Sequence, residues 1–300
     1  LPVVAIGDPE RPVLIDQEGG RVQRLRPPLA PSYPPAAEIG ALWRRDREAG
    51  LRAAWLMSRL HAFDLSRLGF NADCLPVLDV PVEGAHDVIG NRAYGREPAM
   101  VAALGRAAAE GLLAGGVLPV VKHIPGHGRA GADSHLALPR VDAPLEELRR
   151  HDFVPFKALS DMPMAMSAHV VYAAIDSAAP ATTSRKVIGE IVRGEIGFDG
   201  LLMSDDVSMK ALSGDFAART DAIVAAGCDV VLHCNGVMDE ARAVASRAPV
   251  LAGRAHARAN AALARIAPPD ATPEEAARAE FEELMGGPLV AAAKERQRIG

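Results

Sequence analysis

Potentially reactive side chains are concentrated between Lys122 and His135. This segment reads KHIPGHGRAGADSH, so three histidines, one lysine and one aspartate fall within fourteen residues. Pro125 and three glycines exclude a regular helix there. An apolar, β-branched run over 117–121 precedes the segment and predicts a buried strand. Since α/β enzymes often carry their chemistry on loops that follow strands, we predict a functional loop.

Asp133 and His135 stand two residues apart on this loop. A carboxylate that reaches an imidazole orients the ring and tunes its proton affinity, which makes a general acid/base near neutral pH. We therefore predict that His135 transfers protons with Asp133 as its partner. Ser134 lies between them and is poorly placed to face the imidazole, which counts against a serine nucleophile. Three glycines are predicted hinges that let His135 approach bound substrate: Gly126, Gly128 and Gly131.

A metal site is the main alternative for the same loop. Three imidazoles and one carboxylate form a plausible zinc ligand set. However, His123 and His127 would share a face only on a helix, and Pro125 breaks a helix there. The loop also lacks the sequence signatures of metal-dependent hydrolases. We expect neither a metal nor another cofactor, and the alternative metal site would use His123, His127, Asp133 and His135.

Asp205 lies in the sequence Ser204-Asp205-Asp206, directly after another apolar run. An aspartate at the carboxyl end of a parallel strand is well placed to attack or stabilise a cationic centre. Such a pair of aspartates could equally cap the following turn. Because neighbouring strand residues face opposite ways, we assign the chemistry to Asp205 and the structural role to Asp206.

Short apolar runs alternate with amphipathic stretches, which is typical of βαβ units and a parallel sheet. Each run is followed by polar, ionisable residues. A barrel brings such residues to one mouth, so the sequence predicts an α/β fold of the TIM-type (β/α)₈ class instead of an open, doubly wound sheet. The predicted strands are Val13–Ile15, Leu75–Leu78, Leu118–Val121, Met164–Ala168, Leu201–Met203 and Val230–Leu232. The predicted helices are Ala49–Leu68, Glu97–Ala114, Pro144–Ser160, Arg185–Ile196, Asp215–Ala226 and Met238–Arg247.

A closed barrel of this class has eight strands, two more than the sequence predicts. Either weak patterning hides two strands, or the first two βα units are missing from the chain. We expect the second, because the chain starts at Leu1 instead of a methionine and close to a strand. An open sheet would then leave unpaired edges. We assign 1–265 to the catalytic barrel domain and 266–300 to a C-terminal helical extension, packed on the barrel or trailing from it.

Five strand-end residues could form a polar ligand site. Charged groups of this kind can be rim salt bridges that contribute little to stability. Convergent cations and a carboxylate also suit a ligand rich in hydroxyl and carbonyl oxygens, such as a sugar. These residues are Asp16, Arg24, Arg92, Lys122 and His123.

Composition restricts the partners and the compartment. A net charge of −5 and a pI near 6.0 give no general reason to bind nucleic acid or anionic membranes. No apolar run reaches the ~18 residues that span a bilayer, and no signal-peptide pattern opens the sequence. Cys74, Cys228 and Cys234 form no C-x-x-C pair, which favours buried thiols over disulfides. We expect a cytoplasmic monomer.

Five motifs occur in a fixed order between Asp16 and about Asn235. They are DQEGGRVQR from Asp16, PVLDV from Pro76, KHxPGHG from Lys122, DSH from Asp133 and SDDxSM from Ser204. Together they resemble family 3 glycoside hydrolases and, within that family, the bacterial β-N-acetylhexosaminidases of cell-wall recycling.

The resemblance implies a (β/α)₈ barrel and a retaining mechanism. Asp205 matches the nucleophile that forms a covalent glycosyl-enzyme, His135 the acid/base, and Asp133 the aspartate paired with it. The implied activity removes non-reducing N-acetylglucosamine from N-acetylglucosaminyl-anhydro-muramic acid and its muropeptides, in cytoplasmic peptidoglycan recycling. The implied sugar contacts are Asp16, Arg24, Arg92, Lys122 and His123.

Three departures from the family pattern keep alternatives open. Ile124 stands where many relatives have an aromatic residue, and Ser167 replaces a commoner proline before Ala-His169. Relatives also have two more βα units upstream, so a catalytically impaired, truncated sugar-binding barrel is an alternative. Phosphorolysis is another, because a neutral base repels an anionic acceptor less. A β-glucosidase of this family commonly takes its acid/base from a further C-terminal domain, for which this chain is too short.

Overall fold

Six parallel strands form the main sheet, and their spatial order is their order along the chain. The computed structural model describes residues 11–131 and 138–289. Because every strand is added beside the previous one, the sheet curls progressively in one direction. The strands are β1 (Leu14–Ile15), β2 (Ala72–Asp73), β3 (Leu118–Ile124), β4 (Met164–Ser167), β5 (Leu201–Asp206) and β6 (Val230–Leu232).

The predicted α/β class and the parallel sheet are confirmed, whereas a closed barrel is not. Among the described residues, β1 pairs only with β2, and β6 pairs only with β5, so the sheet remains open. The predicted second strand, Leu75–Leu78, begins earlier, at Ala72. Pro76 has no N–H to donate, so Leu75–Leu78 continues beside β3 only as an irregular extension with a single bridge, Val77 to Lys122.

The helices lie mostly where the sequence predicts them, with one split and two omissions. The predicted helix Pro144–Ser160 is two short helices, because the Pro155 ring clashes with the carbonyl four residues before it. Helices α1 and α8 were not predicted. The helices are α1 (Ala36–Arg45), α2 (Arg47–Ser66), α3 (Pro98–Ala114), α4 (Leu145–Arg150), α5 (Phe153–Ala158), the π-helix Val187–Glu195, α6 (Phe216–Ala226), α7 (Met238–Arg247), α8 (Gly253–Leu263) and α9 (Glu274–Met285).

Helix α8 packs against the concave face of the sheet. Alternate strand residues point inwards there, and Ala262 is buried among them while Ala259 is partly buried. The inward side chains are apolar and include Leu118, Val120, Met164, Met166, Leu201 and Met203. The concave face is therefore filled near the amino ends of the strands, and its opening lies at their carboxyl ends.

Helix α9 belongs to the predicted C-terminal extension and packs against α2. Phe281 is fully buried in the main core. Two ion pairs connect the helices, Arg52 to Glu280 at 2.7 Å and Arg67 to Glu274 at 2.6 Å. This part of the extension packs on the sheet domain, and the division at 265 stays a prediction. Within the described ranges, no helix combines the length and apolar character needed to cross a bilayer.

Candidate active site

One cavity of about 690 Å³ opens at the carboxyl ends of the strands. Apolar side chains, among them Met166 and Ile89, complete its wall beside the charged groups. Asp133 and His135 lie outside the described residues, so the acid/base assignment stays a prediction. The other six predicted site residues all line this cavity: Asp16, Arg24, Arg92, Lys122, His123 and Asp205.

A short antiparallel hairpin brings two charged residues, Asp16 and Arg24, to the cavity. Its strands are Gln17–Gly19 and Val22–Gln23. Gly19 has a φ of 96°, and a Cβ there would lie 2.4 Å from the carbonyl oxygen of Pro34. The turn thus needs glycine both for its left-handed backbone and for close approach. Folding back in this way places Asp16 and Arg24 side by side, 2.8 Å apart.

Lys122 is the centre of a buried ion-pair network. Its Nζ lies 2.9 Å from Asp16 Oδ1 and 2.6 Å from Glu18 Oε1. Arg92 holds Glu18 in a bidentate pair at 2.9 and 2.8 Å. Lys122 and Glu18 expose only 2% and 4% of their side chains, so the charges are held in place with little solvent screening. We call Asp16, Glu18, Arg24, Arg92 and Lys122 the charged wall.

The charged wall keeps its groups ionised. Burial alone would raise the pKa of Asp16, but Lys122 and Arg24 outweigh it and hold that pKa below its usual range. The same balance, with Lys122 and Arg92 as the cations, lowers the pKa of Glu18. Burial would lower the pKa of Lys122, and its two carboxylate partners raise it instead. The wall therefore presents three cations and two carboxylates at neutral pH.

A buried carboxylate, Asp79, orients His123. Its Oδ2 lies 2.7 Å from His123 Nδ1, and its Oδ1 accepts hydrogen bonds from the main-chain N–H groups of His123 and His127, at 3.2 and 2.6 Å. Burial would raise the pKa of Asp79, but the neighbouring imidazoles and these hydrogen bonds lower it to about 2. An ionised Asp79 therefore fixes the His123 ring and leaves its Nε2 for other contacts.

Asp205 is placed by the end of β5. Its Oδ1 accepts a hydrogen bond from the main-chain N–H of Asp206 at 2.8 Å, and its side chain faces the cavity. Asp206 accepts hydrogen bonds from the N–H and the hydroxyl of Ser208, at 3.0 and 2.6 Å. Asp206 thus caps the following turn, but it also lines the cavity, so the division of roles between the two aspartates stays a prediction.

The predicted hinges at Gly126 and Gly128 are wrong. Both residues are buried, and a Cβ on Gly128 would lie 2.2 Å from the carbonyl oxygen of Val80. Tyr172 donates its hydroxyl proton to the carbonyl oxygen of Gly126. Gly128 therefore serves close packing, and Gly126 is held in a packed position with a φ of 136° that favours glycine. Gly131 is exposed, and a Cβ there would meet nothing within 4 Å.

Of the four ligands in the alternative metal site, the structure describes His123 and His127. Over 11–131 and 138–289, no group of three or more histidine, cysteine, aspartate or glutamate side chains is arranged to hold a metal ion. His123 is already bonded to Asp79 through Nδ1. The other ligands of that alternative, Asp133 and His135, fall in the segment that the structure does not describe.

The family was identified by comparison with a family model. The model described as the glycosyl hydrolase family 3 N terminal domain matches residues 11–268. This chain belongs to glycosyl hydrolase family 3. The matched region contains all eight predicted site residues.

Individual family 3 relatives agree with this assignment. A beta-hexosaminidase from Bordetella parapertussis is 43% identical over 227 residues, which cover 74% of this chain and 64% of that protein. The crystal structure of native NagZ from Neisseria gonorrhoeae matches with a TM-score of 0.78 and 34% identity, covering 92% of this chain and 80% of that one. Its complex with N-trifluoroacetyl-D-glucosamine matches with a TM-score of 0.77 and 33% identity over the same shares. The chain thus spans about 64% of the Bordetella protein.

Two residues that do not line the cavity of this family 3 chain, Asp79 and the wall member Glu18, are absent from the predicted set. Both lie within the quoted motifs, and Asp79 follows a predicted strand directly. The position of Asp79 at a strand end was therefore a usable signal. Glu18 gave none, because only the folded hairpin brings it between Lys122 and Arg92.

Proposed function

We propose that this protein is a retaining exo-β-N-acetylglucosaminidase. The observation that carries the proposal is one cavity lined by Asp205, by His123 and by four residues of the charged wall, namely Asp16, Arg24, Arg92 and Lys122. The names of the beta-hexosaminidase relatives and the N-trifluoroacetyl-D-glucosamine complex of a structural relative support the sugar assignment.

The charged wall suits recognition of sugar hydroxyls. Lys122 and Arg24 donate hydrogen bonds, Asp16 accepts them, and charged partners strengthen each bond. His123 adds an acceptor at Nε2 when Nδ1–H donates to Asp79. Because these groups are paired with one another before a ligand arrives, little of their conformational freedom remains to be lost on binding.

Asp205 is the proposed nucleophile. Its carboxylate attacks the anomeric carbon, the bond from that carbon to the leaving oxygen breaks, and a covalent glycosyl-enzyme forms. Water then attacks the same carbon, the bond to Asp205 breaks, and the sugar leaves with its original configuration.

His135 is the proposed acid/base, with Asp133 as its partner. It protonates the leaving oxygen in the first step and takes a proton from water in the second. Retaining glycosidases usually use two carboxyl groups for these tasks. A histidine gives a proton donor near neutral pH without a second anion facing Asp205.

The proposed substrates are N-acetylglucosaminyl-anhydro-muramic acid and its muropeptides, in peptidoglycan recycling in the cytoplasm. The assignment is inferred from the resemblance of the motifs to the cell-wall-recycling enzymes. We further propose that the protein acts as a monomer and without a cofactor.

Turnover of p-nitrophenyl N-acetyl-β-glucosaminide by the wild type and Asp205→Ala tests the activity. We expect release of p-nitrophenol by the wild type and almost none by the variant. A wild type as inert as the variant, with N-acetylglucosamine still bound, would replace this proposal with a sugar-binding barrel. The open sheet edges favour that second candidate.

Product analysis in phosphate buffer separates hydrolysis, which yields free sugar, from phosphorolysis, which yields the sugar 1-phosphate.

A further inference from the structure

His169 lies behind Asp205, at the carboxyl end of β4. Its side chain is fully buried and does not line the cavity. The Nε2 atom lies 3.1 Å from the main-chain oxygen of Asp206, and Nδ1 lies 2.8 Å from Thr182 Oγ1. The N–H of the same Asp206 donates to Asp205 Oδ1 at 2.8 Å. His169 and Asp205 are thus connected through both backbone polar groups of a single residue.

The acceptor at Asp206 determines the tautomer of His169. A main-chain oxygen can only accept, so Nε2 must carry a proton to bond with it. Burial lowers the pKa of His169 although Asp205 and Asp206 lie near, with His123 as the other titratable group facing it. The ring is therefore neutral, with its one proton on Nε2 and none on Nδ1.

Two hydroxyl groups complete the connection. The Thr182 hydroxyl oxygen lies 2.8 Å from His169 Nδ1, 2.8 Å from the hydroxyl oxygen of Ser167 and 3.0 Å from the main-chain oxygen of Ala168, so its single proton has more than one acceptor within reach. Both residues are fully buried. The Ser167 hydroxyl therefore extends the row of hydrogen bonds by one member.

We propose that His169 is a positioning residue that, as the Nε2–H tautomer, holds the Asp206 main chain and through it the carboxylate of Asp205. The inference rests on the proposed nucleophilic role of Asp205. Among the described residues, no lysine or arginine forms an ion pair with Asp205, so the Asp206 N–H is the donor that aims this carboxylate. An error of about 1 Å in such an aim can cost roughly 100-fold in rate.

Two pairs of variants test the proposal by kinetics with p-nitrophenyl N-acetyl-β-glucosaminide. His169→Gln keeps an N–H near the position of Nε2, and His169→Leu removes it. We expect the leucine variant to lose kcat by roughly 100-fold, with KM nearly unchanged, because the charged wall still binds the sugar. The glutamine variant should recover most of that loss. Thr182→Val should lower kcat by about tenfold, and Thr182→Ser should restore it.

Equal losses in His169→Gln and His169→Leu would overturn the proposal, as would losses that appear in KM instead of kcat. The readout that does not depend on turnover is the histidine ¹⁵N spectrum, in which His169→Gln identifies the His169 signal. We expect a protonated Nε2 and an unprotonated Nδ1 from pH 5 to 8. An imidazolium or an Nδ1–H tautomer of His169 in this pH range would overturn the proposal, even if the enzyme is active. If the wild type is inert but shows the expected spectrum, the proposed function is wrong. The hydrogen-bonded connection from His169 to Asp205 would still be supported.

Discussion

The two sides of the cavity are held by different forces. On one side, Lys122, Glu18 and Arg92 form buried ion pairs at 2.6–2.9 Å. On the other side, Asp205 receives a main-chain N–H, and the neutral His169 holds the next carbonyl. The ion pairs keep the residues of the charged wall ionised, whereas the hydrogen bonds fix the direction of the Asp205 carboxylate.

The difference fits the separate tasks of binding and bond formation. Groups that grip hydroxyls gain from being permanently charged and mutually paired. A nucleophile gains from the opposite, because a close cation would stabilise its carboxylate and weaken its attack. Variants of the two sides should therefore fail in different observables.

The largest effect should come from the nucleophile side. Asp205→Asn is expected to lower kcat by at least about 10³-fold, because an amide cannot form the glycosyl-enzyme. Asp206→Asn, one residue further on, should lose far less, since that side chain caps a turn. Steady-state kinetics of both variants measures the contrast, and a similar loss in both would remove the special role of Asp205.

The next effect should be a loss of stability on the charged wall. Lys122→Met leaves the buried Glu18 with one cation fewer, and we expect the free energy of unfolding to fall by about 3 kcal/mol. Lys157 pairs with Glu195 at 2.8 Å on the surface. Lys157→Met should therefore cost less than about 1 kcal/mol. Urea denaturation compares the two, and equal losses would mean that the wall does not depend on burial.

A smaller effect on binding should follow from Asp79→Asn. The variant removes the charge that holds His123 at 2.7 Å, so we expect kcat/KM to fall by about tenfold, mainly through KM. Kinetics with the aryl glycoside measures it. A change confined to kcat would mean that His123 acts in bond formation, with Asp205, instead of in substrate binding.

The smallest effect concerns the pH dependence of folding stability. It distinguishes the contribution of the buried imidazoles from that of the charged wall. Burial lowers the pKa of His61 to about 3 and that of His127, helped by His123, to about 4. The unfolded chain therefore binds these protons first, and stability falls as pH drops below about 6.5. The depressed pKa values of Asp16 and Glu18 add a loss only below about 4.

His61→Leu isolates the imidazole part of that loss. Denaturation midpoints at pH 8 and pH 5 should lie closer together in the variant than in the wild type. At pH 8 the imidazole is neutral in both states, so that pH serves as the control. An unchanged difference between the two midpoints would contradict the assignment to His61.

Strand ends explain what the sequence predicted well. Asp205 and Lys122 follow or end apolar runs, and parallel strands bring such positions together whatever the loops do. Gly126 shows the opposite case. A glycine in the sequence can mark either a flexible position or a closely packed one. The contacts of Gly126 with Tyr172 and Asp152 show that it is a packed position, and these contacts exist only in the folded protein.

The unpredicted helix α8 has a related cause. Helix α8 reads GRAHARANAAL, in which alanines form the packed face and arginines surround it. Alanine carries little of the apolar signal by which a buried face is recognised in sequence. Glu18 escaped for a different reason, since its partners come from Arg92 and Lys122, more than seventy residues further along the chain.

The strand order of the sheet also bears on how the protein is made. Each strand docks beside the one synthesised just before it, so a chain leaving the ribosome can extend the sheet one strand at a time. Asp16 can pair with Arg24 early, and its buried ion pair with Lys122 forms only once the third strand is in place. Asp205 arrives with the fifth strand, so synthesis completes the proposed sugar-binding side well before the proposed nucleophile is in place.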